Sequence, residues 1–246
     1  VVGNSQHWHH ENFHSFQGRL SGQTGFGCSK FTAESTASWG SHHMRPGTMD
    51  DLLGYFTLHP HLPLWTTQSS PVDDYAGWEF KGGHQYGASV FWNYLTWFVL
   101  SPRLIGDVFN DPRCGQSPIG VINDLLAEQG YDMKEVYADF ASRLATWDMQ
   151  YGELLRDSEA ASLNRMRNQK PDAEVFDAKN TIAFDRDGTG DVWTAVPRDY
   201  KPGGWAYNSY RIHVTSATTL TADYRSLPVH GDVADFLGPH GQRTLR

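Results

Sequence analysis

The sequence is short of basic residues and of cysteine, and it has no long apolar run. Its 20 Lys and Arg residues stand against 28 Asp and Glu, for a formal net charge of −8, and no basic cluster marks a nucleic-acid surface. The longest apolar stretch, residues 88–100, is interrupted by Asn93 and Thr96 and is too short to cross a bilayer. We therefore expect neither a nucleic-acid partner nor a membrane span.

The two cysteines, Cys28 and Cys114, leave the compartment open. They would form one disulfide in an exported protein or remain two buried thiols in the cytosol. The composition, with 9 Trp, 11 Tyr and 24 Gly, is more typical of an exported bacterial protein, so we expect a secreted or extracytoplasmic location. Because the chain begins with Val1 rather than Met, we expect a processed or truncated product.

Helical patterns predominate as far as about residue 170, and short alternating runs follow. Apolar spacing, capping residues and glycine or proline stops predict helices at 4–19, 30–43, 48–57, 84–100, 117–129 and 132–147. Runs bounded by Gly, Pro and Asp predict strands at 181–184, 192–196, 207–215 and 220–224. We expect an α+β protein, with a helical lobe over residues 1–170 and a smaller β-rich C-terminal unit over 171–246.

The chemistry is concentrated in residues 7–14, which read HWHHENFH and contain an HExxH motif. On a helix, His10 and His14 lie one turn apart on one face and can direct both imidazoles at one metal ion. Glu11 is displaced from that face and suits a general base that takes a proton from the metal-bound water. The motif predicts a zinc-dependent hydrolase.

A catalytic zinc ion needs a third protein ligand. One arrangement requires Gly and His three and six residues after the motif, and it is excluded because Gln17 and Leu20 occupy those positions. The remaining option is a glutamate on the next predicted helix. Glu34 follows His14 by twenty residues and is flanked by small side chains that would let two helices approach closely. We therefore predict His10, His14 and Glu34 as the zinc ligands.

A second catalytic group is expected opposite the base, where zinc hydrolases stabilise the developing oxyanion with Tyr, His or Arg. His84 and Tyr86, which follow two glycines at the start of a predicted helix, are the best-placed candidates. Packing in the core is an equally good interpretation of Tyr86.

Three weaker patterns suggest other ligands. His59 and His61 form an HxH pair that could bind a second metal ion, although such pairs are more often loop residues. Residues 185–191 resemble the opening of a calcium loop, but Pro197 stands where the bidentate Glu belongs, so calcium is not favoured over an acidic turn. The nine tryptophans could contact sugars, but helical spacing favours their burial.

The sequence resembles the gluzincin metallopeptidases, in which HExxH is followed on a second helix by a Glu ligand, and is most similar to secreted bacterial gluzincin-like domains with no assigned substrate. The segments HENFHSFQ, FTAESTASW, HQYGASVFWNYL, FASRLATWD and PRDYKPGGWAYNSYRI carry the resemblance. The resemblance implies a zincin-like helical lobe with one catalytic zinc ion. Gluzincin-like enzymes also place a β-sheet before the HExxH helix, whereas nine residues precede His10 here. We expect that an upstream segment or a partner chain supplies that sheet.

These patterns predict a zinc metallopeptidase that acts on a peptide or protein substrate. A non-catalytic module that binds carbohydrate or protein on a gluzincin-like scaffold is the alternative from a different class. A zinc hydrolase acting on a glycan or ester bond is also compatible with the motif.

Overall fold

The computed structural model describes residues 4–20, 28–45, 53–67, 83–169, 220–224 and 241–245, and it describes side chains at 7–20, 28–45, 53–67 and 83–168. The chain divides into two compact units, Val1–Tyr210 and Arg211–Arg246. The predicted boundary at residue 170 borders residues outside those described, so it stays a prediction.

The regular secondary structure in the described residues of the first unit is helical. Its helices are α1 Asn4–Leu20, α2 Lys30–Met44, α3 Leu53–Thr57, α4 His84–Gly87, α5 Ser89–Tyr94, α6 Arg103–Asn110, α7 Pro118–Glu128, α8 Met133–Thr146 and α9 Gly152–Gln169, and a π-helical turn at Leu95–Val99 continues α5. The patterns that predicted α1, α2, α7 and α8 gave their bounds to within a residue or two. Helix α6 and helix α9 were not predicted, because α6 is short and α9 is largely polar.

The predicted α+β class is wrong. Of the residues whose side chains are described, 75% are helical and none lies in a strand, so that part of the protein is all-α. The second unit contributes two described strands, β1 Leu220–Tyr224 and β2 Gly241–Leu245, which pair antiparallel with each other. This ladder is the one sheet within the described residues. Short alternating runs are a weak strand signal, because irregular segments produce the same pattern.

Strand β1 coincides with the predicted run at 220–224. The other predicted strands, at 181–184, 192–196 and 207–215, lie outside the described residues.

Helix α2 lies at the centre of the first unit and packs against α1, α4 and α5. Small side chains occupy most of its buried positions, which lets neighbouring backbones approach on several sides. The closest approach is at Gly40, where the ring of Phe13 from α1 occupies the space that a β-carbon would need. The small-residue composition of α2 therefore brings the HExxH helix close to the helix that carries Glu34.

Two indole hydrogen bonds join α2 to the α5 region. Trp92 Nε1 donates to Ser35 Oγ at 2.7 Å, and Trp39 Nε1 donates to Thr96 Oγ1 at 3.0 Å. Trp92 is completely buried and Trp39 is 7% exposed, and a buried indole N–H needs such a partner. These bonds set the position of α2 relative to the aromatic core.

The start of α2 is fixed by a disulfide and a cap. Cys28 and Cys114 are disulfide-bonded, and the Ser29 backbone N–H donates to the Cys114 carbonyl at 3.1 Å. The Ser29 hydroxyl then accepts from the Thr32 backbone N–H at 3.2 Å, which is the usual N-cap arrangement. Glu34 thus lies in the first two turns of an anchored helix.

Among the described helices, none is both long and apolar enough to span a membrane. This agrees with the sequence prediction for that part of the chain.

Candidate metal centre

The three predicted zinc ligands meet where α1 packs on α2. His10 Nε2 lies 3.1 Å from Glu34 Oε2 and 3.2 Å from His14 Nε2, and His14 Nε2 lies 3.6 Å from the same carboxylate oxygen. Within the described part of the chain, this is the one group of three or more His, Cys, Asp or Glu residues whose ligand atoms all lie within 4.8 Å of one another.

The group is largely shielded from solvent, and its charges support one another. Burial by itself would raise the pKa of Glu34, but the hydrogen bonds with His10 and His14 and the charges of these two rings outweigh it and lower that pKa to about 2. Burial by itself would lower the pKa of His14, yet hydrogen bonds with Glu34 and Gln17 and the charges of Glu34 and Glu11 raise it. The carboxylate is therefore ionised at neutral pH, as a metal ligand must be.

The ring nitrogens that face away from the group also have partners. His14 Nδ1 lies 2.6 Å from Gln17 Oε1, and His10 Nδ1 lies 3.2 Å from Ser38 Oγ. Gln17 and Ser38 are both fully buried. Metal-binding histidines commonly have such outer partners, which fix the orientation of the ring. Sequence reasoning gave neither Gln17 nor Ser38 this role, although Gln17 stands three residues after His14 and Ser38 four residues after Glu34.

Glu11 lies beside the group rather than within it. Its side chain is 50% exposed, and its carboxylate lies 3.6 Å from His7 Nδ1. Its charge contributes to raising the pKa of His14, so it is electrostatically close to the ligands. The general-base role of Glu11 stays a prediction.

The two candidates for the oxyanion role are separated by the fold. The Tyr86 ring centroid lies 5.6 Å from that of His10, and Tyr86 is half-buried. His84 is fully buried, and its ring packs 4.8 Å from that of Phe56. The structure therefore brings Tyr86 to the ligand group but turns His84 into the core.

The three weaker sequence patterns, the HxH pair, the acidic segment and the tryptophans, are not supported as binding sites by the described residues. His59 and His61 are buried with ring centroids 6.0 Å apart, and they join no group of three close ligands within the described ranges. The acidic segment 185–191 lies outside the described residues, so calcium binding there stays an unfavoured prediction. Of the tryptophans with described side chains, Trp92 is fully buried, whereas Trp8 and Trp97 are 64% and 57% exposed.

Comparison of the chain with models of protein families, with curated proteins and with solved structures finds no match.

Proposed function

We propose that the protein is a zinc-dependent hydrolase that uses His10, His14 and Glu34 as metal ligands and cleaves peptide bonds. The observation that carries this proposal is the convergence of two imidazole nitrogens and one ionised carboxylate oxygen from two packed helices. Two His and one Glu form a donor set found in catalytic zinc sites, which keep a fourth position for water or substrate. The buried partners of both rings add to the fit of these residues to zinc.

A zinc ion bound there would supply Lewis-acid chemistry, lowering the pKa of a water molecule and polarising a carbonyl group. Glu11 accepts the proton of the attacking water, because its carboxylate is exposed to solvent next to the ligands and carries no ligand role. It later returns the proton to the leaving amine. The Tyr86 phenol, on the His10 side, is the group we assign to hydrogen-bond the developing oxyanion.

The peptide bond as substrate is inferred from the resemblance to gluzincin metallopeptidases. HExxH chemistry also suits an ester or glycan-linked substrate, so the assay for the cleaved bond has to include substrates of all three types.

A non-catalytic binding module is the second candidate, and one observation favours it. In the described geometry, His10 and Glu34 hydrogen-bond each other at 3.1 Å with His14 at their side, so the three groups satisfy one another without a metal ion. A scaffold that has lost its reaction could keep this arrangement as a buried hydrogen-bonded group.

The test compares Glu11→Gln with Glu128→Gln, which makes the same chemical change at an exposed position on α7. A broad peptide library is digested with and without chelator, and the zinc content of each variant is measured. We expect chelator-sensitive cleavage by the wild type and the control. Glu11→Gln should keep its zinc and lose activity by about 100-fold or more, the usual share of a general base. Full activity of Glu11→Gln would refute the base assignment, and the absence of any chelator-sensitive cleavage would favour the binding module.

A further inference from the structure

The Gln17 side chain is fully buried between α1 and α2 and makes three hydrogen bonds. Its Nε2 donates to the Ala33 carbonyl at 2.8 Å and to Thr36 Oγ1 at 2.8 Å. Its Oε1 lies 2.6 Å from His14 Nδ1. Gln17 therefore connects His14 on α1 to Ala33 and Thr36, which stand one residue before and two residues after Glu34 on α2.

These contacts fix which way the amide points. A backbone carbonyl can only accept a hydrogen bond, so the atom that faces Ala33 must be the donor, Nε2. The oxygen then has to face His14. Thr36 agrees with this orientation, because its hydroxyl already donates to the Thr32 carbonyl at 2.7 Å and accepts from Gln17.

The orientation of the amide decides the tautomer of His14. Gln17 Oε1 can only accept, so His14 Nδ1 must carry a hydrogen and donate it. In the neutral ring that is the single N–H, which leaves the lone pair on Nε2. Nε2 is the atom that faces His10 Nε2 at 3.2 Å and Glu34 Oε2 at 3.6 Å.

We propose that Gln17 is a positioning residue that holds His14 in the Nδ1–H tautomer and directs its Nε2 lone pair into the metal centre. This inference rests on the proposed zinc site. Helix α2 then has two roles at one place: it provides the ligand Glu34 directly, and through Ala33 and Thr36 it anchors the amide that orients the ligand on α1. An imidazole without this restraint could place its hydrogen on Nε2 and lose the lone pair that the metal needs.

The test uses Gln17→Met, which keeps the length and the helix propensity of the side chain but removes the amide. The control is Thr36→Val, which removes one anchor of the amide at nearly constant volume and leaves the oxygen that faces His14. Zinc affinity is measured by competition with a chromophoric chelator. The ring tautomer of His14 is read from long-range ¹H–¹⁵N correlations of metal-free protein during a pH titration, on the alkaline side of the transition at which the ring loses its charge.

We expect Gln17→Met to bind zinc about 10- to 100-fold more weakly, the usual cost of losing an outer partner of a metal ligand, and its His14 to show Nε2–H signals. Thr36→Val should keep the Nδ1–H tautomer and lose less affinity than Gln17→Met, because it removes one anchor of the amide while the orienting oxygen and the bond to Ala33 remain.

Three results would overturn the inference. One is an Nε2–H tautomer of His14 in the wild type, which needs no variant to fold. Another is wild-type tautomer and affinity in Gln17→Met. The third is an equal loss of affinity in both variants with no change of tautomer, which would indicate packing alone. If the wild type itself binds no zinc, the proposed function fails. If the wild type binds zinc and Gln17→Met binds it equally well, only the inference about Gln17 fails.

Discussion

Lowering the pH from 7 to 5 should destabilise the helical unit strongly, because the unfolded chain takes up protons at buried histidines that stay neutral in the folded protein. Burial is the main cause that lowers the pKa of His59 to about 4 and the pKa values of His61 and His84 to about 3. The three rings also disfavour protonation of one another, since His59 contributes to the lowered pKa of both others. All three are neutral in the folded protein at pH 5.

The magnitude follows from the unfolded chain, in which a histidine has a pKa of about 6.5. Between pH 6.5 and 5 the unfolded state binds a proton at each site and the folded state does not, so the free energy of unfolding decreases as the pH is lowered. At about 1.4 kcal/mol per pH unit, each histidine costs about 2 kcal/mol at pH 5, and the three together cost up to about 6 kcal/mol. This is a large share of the roughly 5–15 kcal/mol that stabilises a domain. His42, whose pKa burial lowers to about 3, adds a cost of similar size, whereas His14 acts in the opposite direction because its pKa is raised.

The assay is urea unfolding of chelated protein at pH 7, 6 and 5, so that loss of a metal ion at low pH does not contribute. His84→Leu removes one of the three groups and should reduce the difference between pH 7 and pH 5 by about 2 kcal/mol. A total loss below about 2 kcal/mol, the share of a single histidine, would refute the reasoning. A protein with this dependence would work at neutral or alkaline pH rather than in an acidic compartment.

Three further predictions concern the site and its supports. Zinc affinity should fall as the pH drops through the raised pKa of His14, because the proton and the metal compete for the ring. Titration calorimetry at several pH values would measure the affinity, and an affinity that does not change with pH would count against His14 as a ligand. The Cys28–Cys114 disulfide closes a loop with a sequence separation of 86. Its reduction should lower the free energy of unfolding by at most about 5 kcal/mol, which would be measured as a lower Tm in reductant. An unchanged Tm would mean that the bond contributes little. Ser29→Ala should cost about 1 kcal/mol through loss of the α2 cap, measured by urea unfolding, and no loss would show that the cap is dispensable beside the disulfide.

The group formed by His10, His14 and Glu34 could be predicted from the sequence because the evidence for it lies in two short segments, residues 10–14 and the residues around Glu34. His10 and His14 stand one helical turn apart, and the small residues around Glu34 indicate a helix that can approach another closely. Two helix patterns and one carboxylate were therefore enough to predict the group that the fold brings together.

Other parts could not be predicted because they depend on how the helices pack. Ser38 reaches His10 across the α1–α2 contact, and His84 turns into the core although it is two residues from Tyr86. The β-rich unit was predicted from short alternating runs, whose pattern does not distinguish a strand from an irregular segment. Helix α9 was not predicted because its fully buried residues, among them Leu155 and Met166, are separated by charged side chains in the sequence.

The central claim, that His10, His14 and Glu34 hold a catalytic zinc ion, is tested most directly by anomalous scattering at the zinc edge from crystals of unchelated protein. The account predicts one peak bonded to an imidazole nitrogen of each histidine at about 2.0–2.1 Å and to a Glu34 oxygen at about 2.0–2.2 Å, with a further ligand position open. No peak at these residues after zinc is supplied, or a peak at His59 and His61 instead, would contradict it.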